Sequence, residues 1–218
     1  MNKSSVISVW KPPGITSYDV IRSIKRFHGN ISKIGHCGTL DPFAEGILII
    51  CTGDESKNAS KYVDLPKTYI AEIIFGSETD TLDSTGSVIK ADHNKCKITI
   101  KDVESALSKF SKSYIQSPPY YSAKKINGVK MYKLARNQIF IRLKGVEVDI
   151  YDLSIINYSD MQLKIKIKCG AGTYVRSLAR DIAYELNTFA YVDKLVRMKV
   201  GNYEEKNSIT FKDINKQC

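Results

Sequence analysis

The sequence lacks the features that mark membrane-spanning and secreted proteins. Its longest apolar run, Ile47 to Cys51, has the length of a strand, whereas a membrane-spanning helix needs about 20 apolar residues. The N-terminus also lacks the apolar region of a secretory signal peptide. We therefore expect a soluble protein of the cytoplasm.

Patterns typical of cross-linking, metal binding and nucleotide hydrolysis are also missing. The cysteines are odd in number and widely spaced, and no C-x-x-C motif occurs, so neither a disulfide framework nor a zinc site is indicated. No glycine-rich segment continues into the Lys-Ser/Thr pair of a phosphate loop. We expect the cysteines to be reduced thiols: Cys37, Cys51, Cys96, Cys169 and Cys218.

Positive charge is what the sequence has in excess. Its 218 residues include 33 Lys+Arg and 23 Asp+Glu, which gives a formal net charge of +10. Such an excess attracts polyanions such as nucleic acid. A second explanation stays open, because Lys, Ile and Asn are abundant everywhere and compositional drift alone would produce the same excess.

Two segments show the alternation of half-buried strands. From Tyr69 to Phe75 every second residue is apolar, and from Gln162 to Cys169 apolar residues alternate with Lys164, Lys166 and Lys168. Since side chains of a strand point alternately to opposite faces, the second segment has one buried face and one basic face.

Three segments show helical periodicity, one of them short and marked by Val103, Ala106, Leu107 and Phe110. For the other two we expect Ser17 and Thr173 to be the N-caps. Mixed with the strands, these helices predict a single α+β domain that ends in a polar tail after Gly201. The apolar faces of the two helices are Val20, Ile21, Ile24 and Phe27, then Val175, Leu178, Ala179, Ile182, Ala183 and Leu186.

Asp41 stands on a loop that the sequence shapes closely. Pro42 biases it toward an extended backbone, and Gly35, Gly38 and Gly46 bracket it with residues free to adopt unusual dihedral angles. A loop that feeds a buried strand is a place where functional groups are held rigidly. The local pattern is equally consistent with an Asx-turn, in which Asp41 only bonds its own backbone.

Arg176 lies at an unfavourable place for a cation. It falls in the first turn of its helix, where the positive end of the helix dipole disfavours it by roughly 0.3 to 1 kcal/mol. A buried carboxylate partner would compensate, and the pair would keep that carboxylate ionised. The alternative is a solvated arginine in an exposed stripe with Arg180.

Tyrosines and cations are interleaved from Ser117 to Arg136. Cations contact phosphates and tyrosines stack on bases, so the segment suits looped or single-stranded RNA. Asn127-Gly128 predicts a tight turn at its centre. A polar hairpin with buried tyrosine rings explains the pattern equally well. The residues concerned are Tyr120, Tyr121, Tyr132, Lys124, Lys125, Lys130, Lys133 and Arg136.

Five segments in this order resemble the bacterial tRNA pseudouridine synthase B family, which isomerises the T-loop uridine conventionally numbered 55. They span most of the chain, and each is a specific motif of that family. The segments are K-P-P-G-I-T-S from Lys11, G-H-C-G-T-L-D-P from Gly35, K-T-Y from Lys67, S-P-P-Y-Y-S-A-K-K-x-x-G from Ser117 and G-T-Y-V-R-S-L from Gly172.

The resemblance implies the pseudouridine synthase fold, a mixed and mostly antiparallel sheet flanked by helices with a central active-site cleft. It implies that Asp41 is catalytic, as nucleophile or as base, that Arg176 keeps it ionised, and that Tyr69 stacks on the uracil and handles the C5 proton. The isomerisation needs no metal or other cofactor. A non-catalytic tRNA-binding or folding module on the same fold is the alternative.

The resemblance also implies the RNA contacts and the organisation of the chain. We expect a catalytic domain over residues 1–201, a thumb-like RNA-binding segment over about 117–141, and a tail over 202–218 in place of a C-terminal RNA-binding domain. The partner is the T arm of tRNA, with no obligate protein partner, and the protein is expected to be a monomer. Cys37 replaces a common Thr, which alters packing more than chemistry. The expected RNA contacts are Lys11, His36, Tyr121, Lys124, Lys125 and Leu195.

Overall fold

The computed structural model describes residues 4–29, 31, 33–92, 98–141 and 143–214. Cys96 and Cys218 lie outside these residues. The chain forms two compact units, the first made of Met1–Ile70 with Leu195–Cys218 and the second of Ala71–Lys194. Within the described ranges no helix is long and apolar enough to cross a membrane.

Strands and helices are mixed along the described chain. The helices are α1 (Ser17–His28), α2 (Ala59–Val63), α3 (Ile100–Ser108), α4 (Met131–Arg136), α5 (Val175–Glu185) and α6 (Phe211–Ile214). The strands are β1 (Ser5–Lys11), β2 (Ile34–His36), β3 (Glu45–Thr52), β4 (Lys67–Phe75), β5 (Ser77–Thr79), β6 (Val88–Ala91), β7 (Lys112–Gln116), β8 (Lys125–Ile126), β9 (Val129–Lys130), β10 (Val146–Ser159), β11 (Gln162–Cys169), β12 (Ala190–Val200), β13 (Tyr203–Glu204) and β14 (Ile209–Thr210).

In the first unit β3 is the central strand. It pairs antiparallel with β1, from Ser5 opposite Thr52 to Lys11 opposite Gly46, and antiparallel with β2. The last part of β12 pairs in parallel with the first residues of β3, with Val196 opposite Glu45. Strand β3 has neighbours along both edges, and all of its residues after Glu45 are buried. The loop that carries Asp41 therefore leads into the most enclosed strand of this unit.

Helix α1 packs an apolar face into the first unit, but its N-cap is Thr16 and the prediction of Ser17 was wrong. The Thr16 hydroxyl accepts from the backbone N–H of Asp19, and the Asp19 carboxylate accepts from the Thr16 N–H, which is a complete capping box. Ser17 is the first helical residue and bonds elsewhere. Of the predicted apolar face, Phe27 is only half-buried.

The segment after Gly201 was predicted as a polar tail, and this was wrong for the described part. Strand β14 pairs in parallel with β1, Val9 opposite Ile209, and β13 pairs with the end of β12. Helix α6 buries Ile214, which is 1% exposed. Backbone pairing and the buried side chain of Ile214 attach this segment to the first unit, and neither is visible in its polar composition.

The second unit contains β11, β10 and β7 in that order, with β10 antiparallel to both neighbours. The predicted alternation of β11 is confirmed, since Leu163, Ile165, Ile167 and Cys169 are all fully buried. The alternation from Tyr69 to Phe75 is confirmed by the burial pattern of β4. The mixed, mostly antiparallel sheet flanked by helices agrees with the predicted fold class.

The N-cap of helix α5 is Tyr174 and not Thr173, so the helix begins at Val175, one residue later than predicted. The Thr173 hydroxyl donates to the Gly170 carbonyl instead. The peptide of Tyr174 is held by the buried side chain of Gln116, whose amide oxygen accepts from the N–H at 2.7 Å and whose amide nitrogen donates to the carbonyl at 3.1 Å. A distant amide therefore fixes the start of this helix.

Gly46 is required where β3 meets β12, and we predict that Gly46→Ala destabilises the fold. Its φ is +114°, and a Cβ there would lie 2.2 Å from the carbonyl oxygen of Arg197. Backbone strain and overpacking together should lower the free energy of unfolding by about 2 to 5 kcal/mol. Urea unfolding measures this difference.

Gly35→Ala is the matched control for Gly46→Ala, because nothing lies within 4 Å of a Cβ at Gly35. Its free energy of unfolding should stay close to that of the wild type. Equal unfolding midpoints for the two variants would contradict the close approach of Gly46 to Arg197.

Candidate active site

Asp41 is half-buried on the loop between β2 and β3. A backbone hydrogen bond from the Ala44 N–H to the Asp41 carbonyl, 3.2 Å, closes the turn around Pro42. The Pro42 carbonyl in turn accepts from the Gly14 N–H at 2.8 Å. The backbone of the Asp41 loop is thus bonded directly to the K-P-P-G loop that precedes α1.

Lys11 ties these two loops together from inside the protein. Its side chain is fully buried, and its ammonium donates to the carbonyls of Pro12, Ile15 and Ala44 at 2.8, 2.9 and 2.6 Å, with Pro42 at 3.4 Å. Burial lowers the pKa of Lys11 to about 8, although the negative charge of Asp41 opposes this. Lys11 is therefore a buried cation whose charge faces the Asp41 loop.

Arg197, on the neighbouring strand β12, bonds to the same loop. It was not assigned a role from the sequence. It is 1% exposed, and its guanidinium donates to the carbonyls of Ile47 at 2.7 Å, Thr39 at 3.2 Å and Gly38 at 3.1 Å. These acceptors lie on both sides of Asp41 in the chain. The signal that the sequence offered is that Arg197 lies two residues after Leu195, which places both side chains on one face of β12.

The other predicted site residues of the first unit occupy buried or half-buried positions. Tyr69 on β4 is 8% exposed and Leu195 on β12 is 5% exposed, while His36 at the end of β2 is half-buried. Immediately before Asp41, the N–H of Leu40 donates to the Ser17 hydroxyl, and that hydroxyl also lies 2.9 Å from the Leu40 carbonyl. Helix α1 is therefore bonded to the Asp41 loop at its first residue.

Cys37 lies in the apolar layer behind the Asp41 loop. Its sulfur is 3.1 Å from that of Cys51, and both cysteines pack with Ile47, Ile49 and Val200. Burial raises the pKa of both thiols, that of Cys51 to about 12. Both are therefore protonated thiols at neutral pH, which agrees with the expectation of a packing role for Cys37.

In the second unit Arg176 lies in the first turn of α5 and is buried, at 4% exposure. Its guanidinium donates to the carbonyls of Thr81 at 2.6 Å and Tyr121 at 3.0 Å, and lies 3.4 Å from a carboxylate oxygen of Asp83. The alternative of a solvated arginine is therefore wrong. These acceptors compensate for its placement at the positive end of the helix dipole.

Asp83 is a residue that sequence reasoning missed, because D-S-T-G, from Asp83 to Gly86, has the composition of a surface turn. The turn is present, but Asp83 itself is 4% exposed. One carboxylate oxygen accepts from the hydroxyls of Thr81 and Thr85 and from the Thr85 N–H. The other faces Arg176. The carboxylate is thus oriented toward the arginine by its own turn.

Tyr121 adjoins this arrangement, and Lys124 and Lys125 follow it along the chain. The Tyr121 carbonyl accepts from Arg176, and its hydroxyl donates to Asp80 at 3.2 Å. Burial, reinforced by the Asp80 charge, raises the pKa of Tyr121. Lys125 begins the short hairpin β8–β9, whose tight turn at Asn127-Gly128 is confirmed by positive φ at both residues.

The aromatic rings of this segment are not enclosed, contrary to the buried-hairpin alternative. Tyr120 is 40% exposed and packs edge-on against Phe140, and Tyr132 is half-buried. Two cations, Lys130 and Arg136, lie 5.7 and 5.4 Å from the Tyr132 ring centre. Among the described residues, no three His, Cys, Asp or Glu side chains form a metal-binding group.

The family model and the similar proteins point to the same family. Residues 25–175 match the family described as "TruB family pseudouridylate synthase (N terminal domain)". The chain is 43% identical over 209 residues to the tRNA pseudouridine synthase B of Borrelia garinii subsp. bavariensis, covering 94% of this chain and 73% of that protein. It is 40% identical over 214 residues to the protein of the same name from Clostridium tetani, covering 98% and 73%.

Solved structures give the same fold. The chain is similar to one chain of a Cbf5-Nop10-Gar1 complex, with a TM-score of 0.75 at 23% identity. The matched region covers 98% of this chain and 54% of the other. For the archaeal box H/ACA sRNP Nop10-Cbf5 complex the TM-score is 0.70 at 21% identity. The chain spans about half the length of these neighbours, so the likeness concerns the fold.

Lys11 makes the stability of the protein depend on pH. Because burial lowers its pKa from 10.5 to about 8, the unfolded chain binds this proton more tightly than the folded one. The free energy of unfolding should therefore rise with pH between about 8 and 10.5. Relative to Lys11→Met, which lacks this titration, the wild type should gain on the order of 3 kcal/mol over that window.

Urea unfolding of both proteins at about pH 7 and about pH 10 measures this gain. Lys61→Met, which removes an exposed lysine of the same unit, is the control variant. A wild-type stability that runs parallel to that of Lys11→Met across the window would contradict a buried, desolvated ammonium.

Proposed function

The chain belongs to the TruB family of pseudouridylate synthases, and from that membership we propose that it isomerises the T-loop uridine of tRNA, at position 55, to pseudouridine. The observation that carries this proposal is the fixed position of Asp41. Two buried cations, Lys11 and Arg197, bond to the backbone on both sides of it. A carboxylate on so constrained a loop is suited to chemistry at one substrate atom.

The reaction is an isomerisation, so its atoms balance without a co-reactant. The bond from N1 to C1′ breaks, the uracil turns, C5 bonds to C1′, and the proton leaves C5 while N1 gains one. Asp41 starts this sequence as nucleophile at the sugar or as base on a sugar proton. Since no electrons are exchanged with a second reagent, we propose that no cofactor takes part.

Arg176 and Tyr69 complete the proposed catalytic group. We assign to Arg176 the role of keeping Asp41 ionised when RNA is bound. Its support is that the guanidinium is buried and oriented by Asp83 and by two carbonyls. Tyr69 is assigned to stack on the uracil and to accept or relay the C5 proton, a role compatible with its largely buried ring on β4.

The target uridine must leave the folded T loop to reach Asp41, which costs a few kcal/mol of stacking and pairing. We propose that His36 fills the vacated loop, that Leu195 lines the base pocket and that Lys11 supports its wall. The segment 117–141, including Tyr121, Lys124 and Lys125, is proposed to grip the T arm. In this assignment residues 1–201 form the catalytic region of a cytoplasmic enzyme that acts as a monomer.

A non-catalytic tRNA-binding module is the second candidate. The observation in its favour is the exposed segment around Tyr120 and Tyr132, whose rings and cations suit RNA binding without any reaction. The two functions separate in one experiment: a module binds a T-arm RNA and releases no C5 hydrogen, whereas the enzyme does both.

We predict that Asp41→Asn abolishes the reaction. Purified wild-type protein should release tritium from a T-arm RNA that carries C5-tritiated uridine, with neither metal nor nucleotide added. Because the amide can act neither as nucleophile nor as base, the release rate should fall by roughly 10³-fold or more, while RNA binding persists. Asp64→Asn, an exposed acid of the same unit, should release at the wild-type rate. Undiminished release by Asp41→Asn would refute the assignment.

We predict that Arg176→Lys slows the chemical step strongly. Lysine keeps the charge but loses the planar fork that bonds several acceptors at once, so the single-turnover rate should fall by about 10²- to 10³-fold with little change in Kd. Arg180→Lys is the matched control, since Arg180 lies one turn later and pairs with Asp181. Equal rates for the two variants would show that Arg176 has only a structural role.

A further inference from the structure

The exposed side of α1 carries a basic face that the proposed mechanism does not use. This α1 basic face consists of Tyr18, Arg22, Lys25 and Arg26, at positions i, i+4, i+7 and i+8, which share one side of a helix. Tyr18 is 57% exposed, the Arg22 side chain is 67% exposed, and both other cations are exposed. The opposite side is buried through Val20, Ile21 and Ile24.

The charges of this face are largely free to meet a ligand. In the described part of the chain no carboxylate lies within ion-pair distance of Lys25 or Arg26. Arg22 does pair with Asp19, but that carboxylate also accepts from the backbone N–H and the hydroxyl of Thr16. These hydrogen bonds from Thr16, aided by Arg22, hold the pKa of Asp19 at about 2. At least two unneutralised cations therefore line the helix.

The aromatic residues distinguish an RNA ligand from a membrane surface. The Arg22 guanidinium lies 5.8 Å from the centre of the exposed Tyr18 ring, so a ring and cations are presented together, as on surfaces that bind unpaired nucleotides. A membrane-bound helix must insert its apolar side into lipid. The apolar side of α1 is already buried within the first unit, which favours RNA.

The α1 basic face is also fixed in position relative to Asp41, within one unit. The Ser17 hydroxyl at the start of α1 bonds the peptide groups of Leu40, and the Gly14 N–H bonds the Pro42 carbonyl. From Tyr18 to Arg26 the helix advances about 12 Å. A phosphate bound on this face is therefore held in constant register with the catalytic loop.

We propose that the α1 basic face binds the sugar-phosphate backbone of the RNA whose uridine enters at Asp41. This inference rests on the proposed function, because the RNA ligand is the substrate of that function. Backbone contacts of this kind position an RNA without reading its sequence. They would supply grip in the first unit in addition to that of the segment 117–141.

The test is the salt dependence of RNA binding by the variant Arg22→Gln, Lys25→Gln, Arg26→Gln. Each lost phosphate contact should reduce the slope of log Kd against log salt by about 0.7 to 0.9, so the slope should fall by roughly 2 to 3 units. The matched control is Lys57→Gln, Lys61→Gln, Lys206→Gln, which removes the same charge from other exposed lysines of the first unit. Its slope should stay near that of the wild type.

A second measurement uses the wild type and does not depend on how the variants fold. Bound T-arm RNA should slow the acetylation of Lys25 by an activated acetate ester, and should leave that of Lys61 unchanged. Equal slopes for the two triple variants, or equal acetylation of Lys25 with and without RNA, would overturn the proposal.

Tritium release by the wild type, measured on the same samples, separates this inference from the proposed function. Tritium release by the wild type, together with an unchanged salt slope for the triple variant of α1, contradicts only the role of the α1 basic face. A reduced slope without release supports that role and contradicts the isomerase assignment.

Discussion

The first unit depends on a single buried ammonium and the carbonyls around it. Lys11 contributes no exposed surface, and its charge is compensated mainly by backbone carbonyls from the K-P-P-G loop and the Asp41 loop. Hydrogen bonds to a charged group contribute about 1.5 to 3 kcal/mol each. A buried charge that lost them would be strongly destabilising. Neither loop can therefore move without uncovering the charge, and this requirement holds Asp41 in place.

The same kind of interaction, a buried cation bonded to loop carbonyls, recurs in both units. Arg197 bonds the carbonyls that flank Asp41, and Arg176 bonds the carbonyls of Thr81 and Tyr121 in the second unit. In each case a cation that is costly to bury is stabilised by backbone oxygens of a loop. Loops have few hydrogen bonds of their own, so a buried cation fixes their backbone conformation, as pairing does for strands. The proposed isomerisation needs such a fixed conformation, since a carboxylate must meet one carbon of one nucleotide.

The sequence predicted those parts of the fold that repeat along the chain, and failed where a contact joins distant residues. The alternation of β11 and the buried apolar face of α5 follow from local periodicity. The N-caps were wrong by one residue because Ser17 and Thr173 each bond a distant or unexpected carbonyl. Asp83 was missed for the same reason: D-S-T-G has the local chemistry of a turn, and only the fold brings Arg176 to it. The family motifs are the basis for proposing Asp41 as catalytic, but no local pattern shows that Arg197 bonds the carbonyls of its loop.

The most direct test of the account is to locate the product. An unmodified tRNA transcript is incubated with the purified protein, treated with a carbodiimide that marks pseudouridine, and copied by reverse transcription to find the modified position. If Asp41 is fixed as the structure indicates and acts on a flipped T-loop uridine, one new stop should appear, one nucleotide on the 3′ side of position 55. A transcript without any new stop, or with stops scattered over many uridines, would contradict the account.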